Sequence, residues 1–117
     1  MITGIGLDIV ELNRIARLDG RSEKFRHRVL TNQELQIYES HSDSRKIEFL
    51  AGRFAAKEAF SKARGTGIGA SCSFLDIEIL SAENGKPLLF FDGHEINGFV
   101  SITHTKTVAA AQVILQA

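Results

Sequence analysis

The chain has one cysteine, one proline and no excess charge of either sign. Each shortage excludes something. The lone Cys72 rules out an internal disulfide and a multi-cysteine zinc site, and it suits a reducing cytoplasm. Fourteen basic residues cancel fourteen acidic ones, whereas a general nucleic-acid binder carries a clear positive excess, so no nucleic-acid partner is expected. No uninterrupted apolar run is long enough to cross a membrane, and none of the sequence is repetitive or low in complexity. The opening MITGIGLDIVEL has neither the basic leader nor the cleavage site of a secretory signal, so a cytoplasmic protein is expected. His27, His41, His94 and His104 are scattered singly, without a zinc-ligand spacing. There is no Gly-x-Ser-x-Gly elbow, and Cys72 has no histidine near it in sequence, which leaves nucleophilic hydrolysis little support.

What is present is apolar enough to fold: 44% of the 117 residues are hydrophobic, and a chain of this length buries a core as one domain, 1–117. Residues 2–10 alternate as a strand, with Ile5, Leu7 and Ile9 on one face and Gly4, Gly6 and Asp8 on the other. The small glycines leave room for something bulky to approach the Asp8 face. Short helices are expected at about 11–20 and 21–30. Thr31 followed by Glu34 reads as a capping box opening a third at 32–40. Asp43 or Ser44 then caps a long helix that runs to Gly65.

Beyond residue 73 the pattern becomes strand. Phe74–Leu80 alternates, Asn84-Gly85 is a hairpin signal with the single proline inside the turn, and Pro87–Phe91 returns. His94–Phe99 reads as a brief helix weakened by Gly93 and Gly98. Val100–Thr103 and Val108–Leu115 form a last hairpin through Thr105-Lys106-Thr107. The order predicts an α+β protein whose mostly antiparallel sheet packs on the long central helix. Ala109-Ala110-Ala111, small on both faces, can lie close under a helix or against a neighbouring subunit.

Within the long helix, Glu58 falls on the stripe that carries Leu50, Ala51 and Phe54, while Lys46, Arg53, Lys57 and Arg64 gather on a basic stripe. A carboxylate on an apolar stripe is costly without compensation, and Lys62 or a metal ion could supply it. Asp8 and Glu58 both sit where their elements look buried. If they met they would repel unless a cation intervened, and hard oxygen ligands favour Mg²⁺. The blander alternative is a Glu58–Lys62 ion pair with Asp8 capping a turn. Gly65-Thr66-Gly67-Ile68-Gly69 follows a helix where a phosphate loop would open one, so a helix cap running into a turn is the better reading. Between Arg14 and Arg28 six basic residues face two acids, with Leu18 and Phe25 among them. Such a segment is either a solvated face or a docking surface for an acidic partner.

Three segments taken together, Gly4-Ile5-Gly6-Leu7-Asp8-Ile9, Phe54-Ala55-Ala56-Lys57-Glu58-Ala59-Phe60-Ser61-Lys62-Ala63 and Ser101-Ile102-Thr103-His104, closely resemble the holo-acyl-carrier-protein synthases, the small bacterial 4′-phosphopantetheinyl transferases. The resemblance implies that family's fold. It also implies Mg²⁺-dependent transfer of phosphopantetheine from coenzyme A to a serine of apo-acyl carrier protein, in fatty acid biosynthesis, with adenosine 3′,5′-bisphosphate as the other product. By resemblance, Asp8 and Glu58 match the metal ligands, and Lys62 matches a lysine on the coenzyme A phosphates, bordered by Ser61 and Gly65. Asn84, Gly85, Lys86, Pro87, Ile102, Thr103 and His104 match segments around the nucleotide end, with Arg45 and Arg53 as phosphate contacts. Arg14, Leu18, Arg21, Lys24, Phe25 and Arg28 match the carrier-protein docking surface. The family's homotrimers, with active sites between subunits, imply the same assembly here. Two other readings stay open at this point: a non-catalytic module that binds acidic proteins, and a Mg²⁺-dependent phosphohydrolase.

Overall fold

The alternating N-terminal segment forms β1 (Ile2–Glu11), and the basic stretch after it folds into α1 (Leu12–Arg21) and α2 (Lys24–Val29). The computed structural model describes every residue from Met1 to Ala117. In α3 (Asn32–Glu39) the capping box forms as expected: the Glu34 N–H donates to Thr31 Oγ1 at 3.3 Å, and the Thr31 N–H donates to Glu34 Oε1 at 2.9 Å. α4 (Asp43–Arg64) has 22 residues. Its N-cap is Ser42, one or two residues earlier than the expected Asp43 or Ser44, and the Ser42 side chain makes no capping hydrogen bond. Gly65 ends the helix at φ 93°, where its missing Cβ removes the usual steric cost.

The strand expected from Phe74 starts later. Residues Phe74–Asp76 form a 3-10 turn, held by the Ser73 N–H donating to Asp76 Oδ2 at 2.9 Å, and β2 is Ile77–Ser81. Gly85, at φ 84°, makes the hairpin turn into β3 (Pro87–Phe91), so Pro87 is the first strand residue and not part of the turn. No helix forms at His94–Phe99. Asp92 and Gly93 take φ of 50° and 81° and fold the chain back, so that β4 (His94–Glu95) pairs with Phe90 and Phe91. β5 (Gly98–His104) and β6 (Val108–Gln116) form the last hairpin. The strands make two antiparallel sheets, ordered β1-β6-β5 and β2-β3-β4.

The glycines of β1 are there for α4. A Cβ on Gly4 would stand 2.1 Å from the Ala63 carbonyl oxygen, and one on Gly6 1.8 Å from that of Ala59. The bulky group that approaches the Asp8 face of β1 is therefore the helix backbone itself. Ala109, Ala111 and Val113 of β6 are buried on the same side. The opposite face of β1 is apolar and open: Ile5, Leu7 and Ile9 are 58%, 63% and 66% exposed.

The basic stripe read along α4 is broken at one residue. Lys57 is fully buried, and its Nζ donates to Glu34 Oε1 at 2.6 Å, to the Val29 carbonyl at 2.6 Å and to the Phe74 carbonyl at 3.1 Å. Glu34, equally buried, takes the Ile79 N–H on its other oxygen at 2.8 Å. This one pair ties α2, α3, the 3-10 turn and β2 to α4. The remaining members of the stripe lie over aromatic rings: Lys46 on Tyr38, Arg53 on Phe49 and Arg64 on Phe91.

Candidate active site

Because β1 lies against α4, Asp8 follows Gly4 and Gly6 toward the helix and meets its C-terminal half. Lys62 Nζ donates to Asp8 Oδ1 at 2.9 Å and to the Leu7 carbonyl at 3.1 Å. Lys62 thus pairs with Asp8, and the alternative Glu58–Lys62 bridge is not what forms. An ammonium carries three N–H groups. Two are used here, and the third is free in a half-exposed position.

Glu58 lies within the field of the same pair. Its carboxyl is raised above the ordinary range first by burial and then by the negative charge of Asp8, with Lys62 and Arg14 pulling the other way. Asp8, Glu58 and Lys62 therefore lie within reach of one another's charges. The two carboxylates fit Mg²⁺, which takes hard oxygen ligands and is held by one or two carboxylates together with phosphates. Beside it lies a cavity of about 520 Å³ lined by Leu7, Asp8, Ile9, Lys62 and Ala110.

The other expected residues divide among four places. Arg45, Arg53, Ile102 and His104 meet in a small cavity of about 130 Å³ together with His41, Glu48, Phe49 and Gly52. Thr103 is exposed on β5, beside that cavity's Ile102 and His104. The turn Asn84–Pro87 stands elsewhere, with Lys86 Nζ 5.3 Å from the Phe99 ring near the start of β5. Ser61 is fully buried, and its hydroxyl donates to the Glu58 carbonyl at 2.7 Å, while Gly65 serves as the helix cap. These two shape the end of α4 and offer no side chain to a ligand.

The basic helices give the fourth place. Arg14, Leu18, Phe25 and Arg28 line a groove of about 550 Å³ whose opposite wall is Ile68, Gly69 and Ser73–Leu75, with Phe54 at its base. Arg14 lies over the Phe54 ring and Arg28 over Phe25, which keeps the two cations at the rim of an apolar floor. Since Arg14 also acts on Glu58, the groove adjoins the carboxylates. Arg21 and Lys24 are exposed outside the groove, at the end of α1 and the start of α2. The residues that sequence reasoning missed are Glu48 and His41 in the small cavity and the far wall of the groove. Glu48 had a signal, because it lies one turn after Arg45 on the same helix.

A domain of two antiparallel sheets and four helices, with paired acids and a lysine where β1 meets α4, has counterparts among known proteins. Residues 4–115 match the model of the 4′-phosphopantetheinyl transferase superfamily, and the chain belongs to that family. It is 58% identical over 117 residues to the holo-[acyl-carrier-protein] synthase of Bacillus subtilis strain 168, an alignment covering 99% of this chain and 97% of the relative. A Geobacillus holo-[acyl-carrier-protein] synthase is 53% identical over 116 residues, covering 99% of this chain and 98% of its own. Among solved structures, a Bacillus anthracis holo-(acyl-carrier-protein) synthase in complex with CoA (3′,5′-ADP) superposes at a TM-score of 0.88 with 50% identity, covering 100% of this chain and 98% of that one. A Helicobacter pylori synthase in complex with coenzyme A gives 0.84 at 34% identity, covering 96% and 99%.

Proposed function

We propose that this chain transfers 4′-phosphopantetheine from coenzyme A to a serine of apo-acyl carrier protein in the bacterial cytoplasm, with adenosine 3′,5′-bisphosphate leaving, in service of fatty acid biosynthesis. The observation that carries the reading is the meeting of Asp8, Glu58 and Lys62 beside a groove with a basic rim and an apolar floor. A phosphohydrolase would use the same acids but has no need of that groove, and a binding module has no need of the acids.

Asp8 and Glu58 would hold Mg²⁺, which when bound neutralises charge on the pyrophosphate and on the leaving bisphosphate. The rest of the chemistry falls to the chain itself. Lys62, fixed by Asp8 and the Leu7 carbonyl, points its remaining N–H at a phosphate oxygen. The serine hydroxyl attacks the phosphorus on the pantetheine side, its O–P bond forms, and the bond to the bridging oxygen breaks. Glu58, or a water held beside it, receives the serine proton. Arg14, Leu18, Phe25 and Arg28 seat the carrier protein, with Arg21 and Lys24 extending the positive field outside the groove. Arg45, Arg53 and His104 take the phosphate monoester at the nucleotide end. Ile102, Thr103 and the Asn84–Pro87 turn border the nucleotide.

The assembly we infer is a homotrimer with sites shared between subunits. Two observations support it: the open apolar face of β1, and the separation of Asp8 and Lys62 from the monoester residues into cavities with no residue in common. Incubation with apo-acyl carrier protein, coenzyme A and Mg²⁺, followed by intact mass, tests the activity. A phosphopantetheine adduct on the carrier is expected with the wild type, and none with folded Asp8→Asn or Glu58→Gln. Undiminished transfer by both variants at limiting Mg²⁺ would remove the two-carboxylate site.

A further inference from the structure

The small cavity between the first half of α4 and the end of β5 contains an acid that no step above uses. Arg45, Arg53, His41 and His104 surround it, and Glu48 is the only carboxylate in its wall. Glu48 Oε1 faces Arg45 Nε at 3.6 Å, and Oε2 faces His104 Nε2 at 3.4 Å. Both separations are longer than the usual N–H···O hydrogen bond of about 2.7–3.2 Å. The carboxylate therefore faces both side chains without gripping either.

Arg53 is left outside this arrangement. Its guanidinium lies 4.4 Å from the centre of the Phe49 ring, and its buried Nε has no hydrogen-bond partner. One planar carboxylate cannot serve Arg45, His104 and Arg53 together. A phosphate monoester could, having three terminal oxygens and up to two charges. The cavity is small, about 130 Å³, and lined by these nitrogen-bearing side chains, as a site for a phosphate group would be.

We propose that Glu48 is an internal counter-ion that occupies the place of the nucleotide's phosphate monoester, competes with it, and so holds its affinity down. The inference rests on the reading that this cavity takes the monoester of coenzyme A. Its use is in turnover. The same phosphate that anchors the donor must leave on the bisphosphate product, and an acid already in the cavity retakes Arg45 and His104 as it goes.

Calorimetric titration of the wild type and of Glu48→Gln with coenzyme A and with dephospho-coenzyme A, which lacks the monoester, tests this. Glu48→Gln keeps the shape and removes the charge, so coenzyme A should bind about two- to fivefold tighter, the range expected for a partly exposed charge pair. Dephospho-coenzyme A should bind as before. Glu48→Asp keeps the charge but withdraws it from Arg45 and His104, and should fall between the two. It provides the comparison if the glutamine variant folds poorly. Unchanged or weaker binding of coenzyme A by the variants would overturn the proposal, as would equal tightening toward both ligands. A wild type that does not distinguish coenzyme A from dephospho-coenzyme A would remove the monoester reading and this inference with it.

Discussion

Lys57 and Glu58 are neighbours in sequence and opposites in setting. Lys57 is sealed among carbonyls and Glu34, whereas Glu58 is half-buried beside Asp8. Burial draws the Lys57 ammonium below its ordinary range, and the Glu34 charge and hydrogen bond offset only part of that. Lys57→Met should therefore cost about 3–5 kcal/mol, because Glu34 is then buried without a countercharge. Replacing Glu34 by Leu as well should recover part of that loss, which a double-mutant cycle from denaturant midpoints would measure. A single variant that unfolds at the wild-type midpoint would show that the pair is not holding the fold. Nothing local in the sequence marks Lys57 as buried, since its partner is 23 positions away and lysines on a helix are ordinarily solvated. Asp8 and Glu58 were legible as a pair only through the motifs together, because periodicity places each on a face without saying which faces meet.

The helices before α4 are bound to one another through one acid. Asp19, nearly fully buried on α1, accepts two hydrogen bonds from Arg26 of α2 at 2.8 and 3.0 Å and one from the Tyr38 hydroxyl of α3 at 2.9 Å. Burial first, and then the hydrogen bond to Asp19, push the Tyr38 hydroxyl up to about 12. A tyrosine in the unfolded chain ionises near about 10. Between those values the unfolded state releases a proton that the folded state keeps, so this contribution is complete below pH 10 and is lost as the pH rises toward 12. At about 1.4 kcal/mol per unit it amounts to at most about 3 kcal/mol. Thermal melts from pH 9 to 12 should fall more steeply for the wild type than for Tyr38→Phe, and parallel curves would count against the assignment. The elements themselves were largely readable, because caps and glycines announce themselves: Thr31 with Glu34, Gly65, Asn84-Gly85. The failures came where tertiary pairing overrode local preference. Ser73 and Asp76 cap each other and delay β2, and β4 pairs with Phe90 and Phe91 where a helix had been expected.

At the scale of the whole molecule, Ile5, Leu7 and Ile9 form the most exposed run of large apolar side chains. If that face is where copies meet, Leu7→Asp should leave the fold intact, give a light-scattering mass of one chain and abolish transfer, whereas the wild type should scatter as three. Co-refolding Glu58→Gln with His104→Ala should restore some activity, since mixed trimers contain some sites with both residues native. A wild-type mass of one chain, or no recovery from a verified mixed trimer, would refute the shared site. α4 is the element against which the rest of the chain is measured, for it touches both sheets and the first three helices. An inserted residue turns everything beyond it by about 100° about the helix axis. An insertion between Lys57 and Glu58 would carry Glu58, Lys62, Ala59 and Ala63 out of phase with Asp8, Gly4 and Gly6 while Lys57 stayed in its socket. Length changes are thus cheap in the exposed turn at Thr105–Thr107 and ruinous in α4, so descendants of this chain are free to vary the exposed letters of that helix but not its count.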